Sequence, residues 1–183
     1  MNQKILDRCK ELKAKLEQLN YDGALLRVSL DDDDTKRPGF KFAENELKGI
    51  PLRVVIGPRD YDNNVVELAR RDTKEKSSVA LDTLEETVLN NLETMQKAIF
   101  EKAKDFRDAN ISKANTYDEF KKLIKKGGFV SAHWDGTKET EDRIKSDTKA
   151  TIRCIPLNNP QEEGSCIKSG KPSKERVLFA RAY

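Results

Sequence analysis

Apolar and polar residues follow two different periods along this chain, and together they predict helices alternating with strands. Residues 2 to 19 place an apolar side chain at every third or fourth position, which is the spacing of one helix face. Further helices are predicted at 40 to 48, from Asp82 or Thr83 to about 108, at 116 to 127 and at 138 to 147. Runs rich in Val and Ile predict strands at 24 to 30, 52 to 56, 64 to 70, 129 to 133, 151 to 155 and 176 to 182. This alternation favours an α/β layer built on a mixed sheet.

Proline, glycine and capping residues mark where these elements begin and end. Pro38 suits the first turn of a helix, and Gly49 followed by Pro51 suits its end. Thr116 and Glu119 have the spacing of a capping box. Composition changes between 110 and 116, so we predict two domains, one spanning 1–109 and one spanning 110–183.

Length and composition narrow the class of protein. A chain of 183 residues can bury one ordinary core or two small ones. Charged residues make up 37% of it, and no apolar run approaches the roughly 18 residues that a membrane-spanning helix needs. No apolar leader precedes the first helix, and three cysteines cannot all pair within one chain. We therefore expect a cytoplasmic protein with no membrane partner.

The charge distribution is more informative than the net charge of +3, which is the difference between 35 basic and 32 acidic residues. Cations are concentrated in one segment: Lys36, Arg37, Lys41, Lys48, Arg53, Arg59, Arg70, Arg71, Lys74 and Lys76. The same segment places Phe42, Glu46 and Arg53 near a helix-to-strand corner. There an aromatic plane, an acceptor and a guanidinium could converge on an unpaired base. The alternative is a solvated face of mixed charge.

Several motifs in this segment resemble one known family. Pro-Gly-Phe-Lys-Phe from Pro38, Glu-Leu-Lys-Gly-Ile-Pro-Leu-Arg from Glu46, Gly-Pro-Arg-Asp from Gly57 and Ala-Arg-Arg-Asp from Ala69 resemble the anticodon-binding domain of prolyl-tRNA synthetases of the archaeal and eukaryotic-like type. The segments 151–156, 170–172 and 177–183 resemble the extra carboxyl-terminal domain of that family. Several motifs in the right order argue against a chance match.

The resemblance implies both a fold and a function. The fold would be a class II synthetase anticodon-binding domain, with its first strand missing because the chain opens with a helix, followed by a small α/β domain of the zinc-binding-like type. The function would be recognition of the tRNA(Pro) anticodon within a proline–tRNA ligase. ATP and Mg²⁺ would belong to a catalytic domain absent from this chain, which should be inactive alone, and the full enzyme would dimerise through that domain. The alternative is a stand-alone RNA-binding or protein-interaction module.

The resemblance also assigns roles to individual residues. Phe42 would stack on an anticodon base, Glu46 and Arg53 would hydrogen-bond to guanine edges, and Lys76 matches a further lysine of the family. From the residues alone, we assign contacts to the tRNA backbone to four cations: Lys36, Arg37, Arg70 and Arg71. We predict no catalytic residue, since the chain contains no Ser-His-Asp pattern, glycine-rich phosphate loop or class II signature segment. The terminal Tyr183 is expected to be loosely held.

Two groups of residues raise the question of a metal. The carboxylates of residues 31–34 are consecutive and cannot easily converge on a hard cation, so a metal protein or independent enzyme built on them is a weaker hypothesis. In zinc-bearing members of the resembled family, four cysteines hold the ion. The matching positions here read Asp135, Thr140, Cys166 and Lys168.

Only one thiol remains at those four positions, so we predict that the zinc-type fold is retained without zinc. Cys154 and His133 do not supply the missing ligands, because their spacing from Cys166 is poor for a tetrahedral site. His133 and Trp134 are instead predicted to be packing residues.

Overall fold

A computed structural model describes residues 3–181 and divides the chain into two compact units, Met1–Glu101 and Lys102–Tyr183. The division falls within one long helix, Leu84–Ala109, and the boundary predicted after residue 109 stays a prediction. The expectation for Tyr183 concerns a residue outside the described range.

The first unit packs helices against a small antiparallel sheet. Its elements are α1 (Gln3–Leu16), β1 (Asn20–Tyr21), β2 (Ala24–Leu25), α2 (Pro38–Leu47), β3 (Leu52–Val55), α3 (Pro58–Asp62), β4 (Val65–Arg70), β5 (Lys76–Ala80) and the first part of α4 (Leu84–Ala109). The three-stranded sheet has the order β3-β4-β5. Ala69 of the central strand lies opposite Arg53 of β3 on one side and opposite Lys76 of β5 on the other. Both β3 and β5 therefore pair with the central strand β4.

The core of the first unit lies between this sheet and two helices. Val66 and Leu68 of β4 are almost fully buried. They belong to one apolar cluster with Leu12 of α1 and Leu84 of α4. The three-four spacing of α1 thus produces the buried stripe that the sequence predicted.

One local prediction in this unit is wrong, and two elements were not predicted. The strand predicted at 24–30 is wrong beyond Leu25, since only β2 pairs, with β1. Leu26 and Val28 still pack against the core, so apolar alternation there reflects burial without a strand. The strand β5 and the short helix α3 were not predicted. In α3, the Asp60 carboxylate accepts a hydrogen bond from the Gly57 backbone N–H at 2.8 Å.

The second unit is built around a mixed sheet. Its elements are β6 (Ile111–Lys113), α5 (Tyr117–Lys126), β7 (Phe129–His133), α6 (Lys138–Thr148), β8 (Ala150–Cys154), β9 (Gly164–Ser165), β10 (Pro172–Ser173) and β11 (Arg176–Arg181). The main sheet has the order β6-β7-β11-β8, in which only the β6–β7 pair is parallel. The strands β9 and β10 form a separate antiparallel pair.

Aromatic packing and a helix cap fix the second unit. The rings of Phe120 on α5 and Phe179 on β11 are fully buried and meet edge to face with centroids 5.1 Å apart. The predicted capping box is present, because Thr116 accepts from the Glu119 backbone while Glu119 accepts from the Thr116 backbone. Gly127 ends α5 with a φ of 99°, a conformation that glycine adopts easily.

Helix α4 is the longest element, and its apolar side is only partly buried. Leu84, Val88 and Met95 are buried, whereas Ile99 and Phe106 are exposed. Within residues 3–181, no helix combines the length and apolar character needed to cross a membrane.

Candidate nucleic-acid interface

The corner between α2 and β3 brings the predicted base-contacting residues together. Pro38 occupies the first turn of α2, and after Lys48 the chain reverses through Gly49, whose φ is 84°. This left-handed conformation suits glycine and directs the chain into β3. As a result, Phe42 and Glu46, one helical turn apart on α2, face Arg53 on β3.

Arg53 is stacked on Phe42. Its guanidinium carbon lies 3.9 Å from the centroid of the phenyl ring. Its Nη1 pairs with Oε1 of Glu46 at 3.3 Å. The side chain is only 18% exposed, and its Nε is buried with no hydrogen-bond partner within the described part of the chain. A buried donor without a partner costs free energy of folding. Arg53 therefore keeps hydrogen-bonding capacity that the described part of the protein does not use.

Glu46 is the centre of the local electrostatics. Besides Arg53, its carboxylate binds Nζ of Lys74 at 2.6 Å, and its backbone carbonyl accepts from Nε of Arg71 at 2.9 Å. Hydrogen bonds from Lys74 and then Arg53 lower the pKa of Glu46, although partial burial opposes them. Glu46 is therefore held as an anion that can accept hydrogen bonds from a ligand.

Lys74 joins this corner although no site role was predicted for it, and the role predicted for Lys76 stays a prediction. Lys76 Nζ lies 6.0 Å from the Phe42 centroid and pairs with Glu67 at 3.0 Å, so it borders the cluster. Lys74 reaches Glu46 directly from the turn between β4 and β5, where its φ is 63°. If strand β5 had been predicted, the hairpin turn that contains Lys74 would have been predicted with it. We define the corner cluster as Phe42, Glu46, Arg53 and Lys74, with Lys76 at its border.

The four cations assigned to the tRNA backbone have different surroundings. Lys36 pairs with Glu44 at 3.2 Å and lies 3.8 Å from Asp33. Arg37 is the N-cap residue of α2, is exposed, and has no ion-pair partner among residues 3–181. Arg71 is also exposed. These three can reach an external phosphate.

Arg70 differs from the other three, because its donors have partners inside the protein. Its guanidinium binds both oxygens of Asp72, at 3.1 and 2.8 Å, and also binds Asn91 and Thr94 on α4. The side chain is only 18% exposed. Its donors are used inside the protein, so the geometry favours a structural role over phosphate binding.

The acidic segment 31–34 does not form a shared ligand set. Asp31 pairs with Lys41 at 2.8 Å, while Asp33 accepts from the side chain and backbone of Thr35. No group of three or more His, Cys, Asp or Glu side chains suited to a metal ion occurs within the described residues. The segment instead supports the start of α2.

The positions that match zinc ligands in the resembled family do not fit zinc here. Asp135 Oδ2 accepts hydrogen bonds from Thr140 Oγ1 at 2.8 Å and Ser169 Oγ at 2.6 Å. Lys168 points elsewhere, pairing with Asp147 and lying 4.2 Å from the ring centroid of Tyr117. One carboxylate, one thiol, a neutral hydroxyl and a cation are not the donor set of a tetrahedral zinc site.

His133 and Trp134 have internal partners. His133 is buried, its Nδ1 lies 3.1 Å from Ser173 Oγ, and its ring leaves no room for a side chain at Gly164. Trp134 packs against the core of the second unit and donates from Nε1 to the Thr137 carbonyl at 3.1 Å. These contacts agree with packing roles.

Comparison with known proteins identifies both units. A family model for the anticodon-binding domain matches residues 1–91, and a model for the carboxyl-terminal domain of prolyl-tRNA synthetase matches residues 117–183. A proline–tRNA ligase of Porphyromonas gingivalis is 56% identical over 86% of this chain. Others, from Parabacteroides distasonis and Bacteroides fragilis, are 52% and 50% identical over 98% of it. The chain belongs to the prolyl-tRNA synthetase family.

Membership of the prolyl-tRNA synthetase family confirms the predicted family and fold class. The corner cluster lies in the part matched by the anticodon-binding domain, and Asp135 lies in the part matched by the carboxyl-terminal domain. The chain covers 32%, 35% and 36% of the three relatives' own lengths, or about a third.

Proposed function

We propose that this chain recognises the tRNA(Pro) anticodon for a proline–tRNA ligase. The observation that carries the proposal is the match of residues 1–91 to an anticodon-binding domain, since that segment contains Phe42, Glu46, Arg53 and Lys74. The similarity of 98% of the chain to proteins named proline–tRNA ligase supports proline as the amino acid.

The geometry supports a particular way of reading a guanine. Arg53 covers one face of Phe42 at 3.9 Å, which leaves no space for a base between them. We therefore propose that the base meets the outer edge of the guanidinium in its own plane, with Phe42 supporting Arg53 from behind, instead of stacking directly on Phe42. This changes the role first assigned to Phe42 from direct stacking to support.

Hydrogen bonding would then select guanine. Guanine offers acceptors at O6 and N7 and donors at N1 and N2. The outer amino groups of the Arg53 guanidinium supply donors, and the Glu46 carboxylate supplies an acceptor. Lys74 is 61% exposed and can leave Glu46 to the base or contact a phosphate. Binding energy would be used to position the tRNA so that its acceptor end reaches an active site elsewhere.

The remaining properties of the ligase are also proposals. Because the chain covers about a third of its relatives, we place proline activation, with ATP and Mg²⁺, in the part of the ligase that this chain does not match. We expect this chain alone not to charge tRNA, the full ligase to be a cytoplasmic homodimer, and neither zinc nor another metal to be needed by this chain.

The first test measures binding to two anticodon stem-loops, one with the proline anticodon and one with its guanines replaced by adenines. Arg53→Ala should cost about 1 to 3 kcal/mol on the guanine loop and remove most of the discrimination. Phe42→Ala should cost a similar amount because the guanidinium loses its support. Lys97→Ala, an exposed residue on α4, is the matched control and should change neither affinity nor discrimination.

Two results would contradict the proposal. If wild-type protein binds both loops equally, the chain is a general RNA-binding module. If Arg53→Ala weakens both loops by the same factor, Arg53 does not read a base.

A further inference from the structure

The carboxyl-terminal unit contains a hydrogen-bonded cluster at the positions where the family resemblance suggested zinc ligands. Asp135 Oδ1 accepts from the Thr137 backbone N–H at 3.1 Å and from Thr137 Oγ1 at 2.8 Å. Asp135 Oδ2 accepts from Thr140 Oγ1 and Ser169 Oγ. An ionised carboxylate offers about four lone-pair sites, and all four are used by protein donors. No acceptor site of Asp135 is left for a metal.

This cluster joins two segments that are distant in sequence. One is the turn between β7 and α6, which contains Asp135, Thr137 and the buried Thr140. The other is the turn at 166–170, in which the Ser169 backbone N–H points at Sγ of the buried Cys166, with the two atoms 3.5 Å apart. Within this cluster, the hydrogen bond from the Ser169 hydroxyl to the Asp135 carboxylate is the side-chain contact that connects the two turns.

The same contacts identify which residue completes the cluster. Lys168, the position expected from sequence, is turned towards Asp147 and Tyr117. Its neighbour Ser169 contacts both Asp135 and Cys166. Ser169, which contacts both residues, is therefore the fourth member of the cluster in this structure.

From these contacts we infer that the Asp135 carboxylate acts as a metal-free cross-link between the two turns, with Thr137, Thr140 and Ser169 as its ligands. The electrostatic arrangement is the reverse of a zinc site. A zinc site has a central cation surrounded by anionic thiolates, whereas this cluster has a central anion surrounded by neutral donors. Partial burial of this carboxylate is tolerated because charge-assisted hydrogen bonds satisfy it. This inference does not depend on anticodon recognition.

Thermal unfolding of the whole chain tests the cross-link. Asp135→Ala leaves the hydroxyls of Thr140 and Ser169 without their acceptor, so Tm should fall by at least about 4 °C. Ser169→Ala should give a smaller fall. Asp142→Ala, an exposed position on α6, is the matched control and should lie within about 1 °C of wild type. A chelator should leave the wild-type Tm unchanged.

Engineered thiols test the position of the fourth corner. With native Cys166, the substitutions Asp135→Cys, Thr140→Cys and Ser169→Cys should create a site that binds one zinc ion per chain, measured by metal analysis under reducing conditions. The control set with Lys168→Cys in place of Ser169→Cys should bind zinc much more weakly.

Three results would overturn the inference. Stoichiometric zinc in the wild-type chain would show that the cluster is a metal site. An Asp135→Ala protein as stable as Asp142→Ala would show that the carboxylate is not a cross-link. Tighter zinc binding by the Lys168→Cys set would show that residue 169 is not the corner. The zinc analysis of the wild-type chain and the comparison of Asp135→Ala with Asp142→Ala do not depend on whether the proteins with engineered thiols fold.

Discussion

The Glu46 carboxylate binds two cations, Lys74 at 2.6 Å and Arg53 at 3.3 Å. Because these hydrogen bonds lower its pKa, replacing Lys74 should raise that pKa towards the ordinary glutamate value of about 4.3. We predict this rise for Lys74→Ala and no change for Lys76→Ala, whose lysine pairs with Glu67. Carboxyl NMR titration of the two variants is the measurement.

The sign of the pH effect follows from the direction of the shift. A carboxyl with a lowered folded-state pKa contributes stability above the unfolded value and loses it as pH falls through the folded value. The Glu46 network should therefore persist at neutral pH and weaken below about pH 4. An unchanged Glu46 pKa in Lys74→Ala would mean that the ion pair does not persist in solution.

The residues of the corner cluster were only partly predictable from sequence. Phe42 and Glu46 are four residues apart on one helix, so they share a face by simple periodicity, and Arg53 follows on the adjoining strand. Lys74 was missed because its approach to Glu46 depends on a left-handed turn residue between two paired strands. Sequence spacing does not specify that turn when the second strand is itself unrecognised.

At the scale of elements, Arg70 ties the central strand β4 to helix α4. It binds Asp72, Asn91 and Thr94 through one guanidinium. We predict that Arg70→Ala lowers the free energy of unfolding by about 1.5 to 3 kcal/mol, the range for hydrogen bonds to charged groups. Denaturant unfolding with a two-state fit is the measurement.

Arg71→Ala is the matched control for this prediction. Arg71 is the next residue and is exposed, so its loss should change stability far less. Equal destabilisation by both substitutions would contradict a specific tie through Arg70.

Elements with strong local signals were predicted well, and those that depend on pairing were not. The capping box at Thr116 and Glu119 determined the start of α5 through contacts within four residues. Strand β5 has the sequence Lys-Ser-Ser-Val-Ala, which has little β propensity, and it forms because β4 offers a partner. The segment after Leu25 shows the opposite case, in which an apolar pattern exists but no ladder partner occurs among the described residues.

For the whole molecule, the net charge of +3 is a poor guide to RNA binding because so many cations are paired internally. Arg70 binds Asp72, Lys76 binds Glu67 and Lys41 binds Asp31. Of the four cations assigned to the tRNA backbone, three remain for phosphates: Lys36, Arg37 and Arg71. Lys36 has carboxylate partners that RNA would have to replace, whereas Arg37 has no ion-pair partner within residues 3–181.

This count predicts the salt dependence of RNA binding. Each phosphate neutralised on a single strand contributes about −0.7 to the slope of log K against log salt, so three contacts should give a slope of about −2. Arg37→Ala and Arg71→Ala should each make the slope about 0.7 shallower, while Arg70→Ala should leave it unchanged as long as the protein stays folded. Titrations of an anticodon stem-loop at salt concentrations from about 50 to 200 mM measure these slopes. A shallower slope for Arg70→Ala would show that Arg70 contacts a phosphate. A wild-type slope much steeper than about −2 would show that internally paired lysines exchange their carboxylates for phosphates when RNA binds.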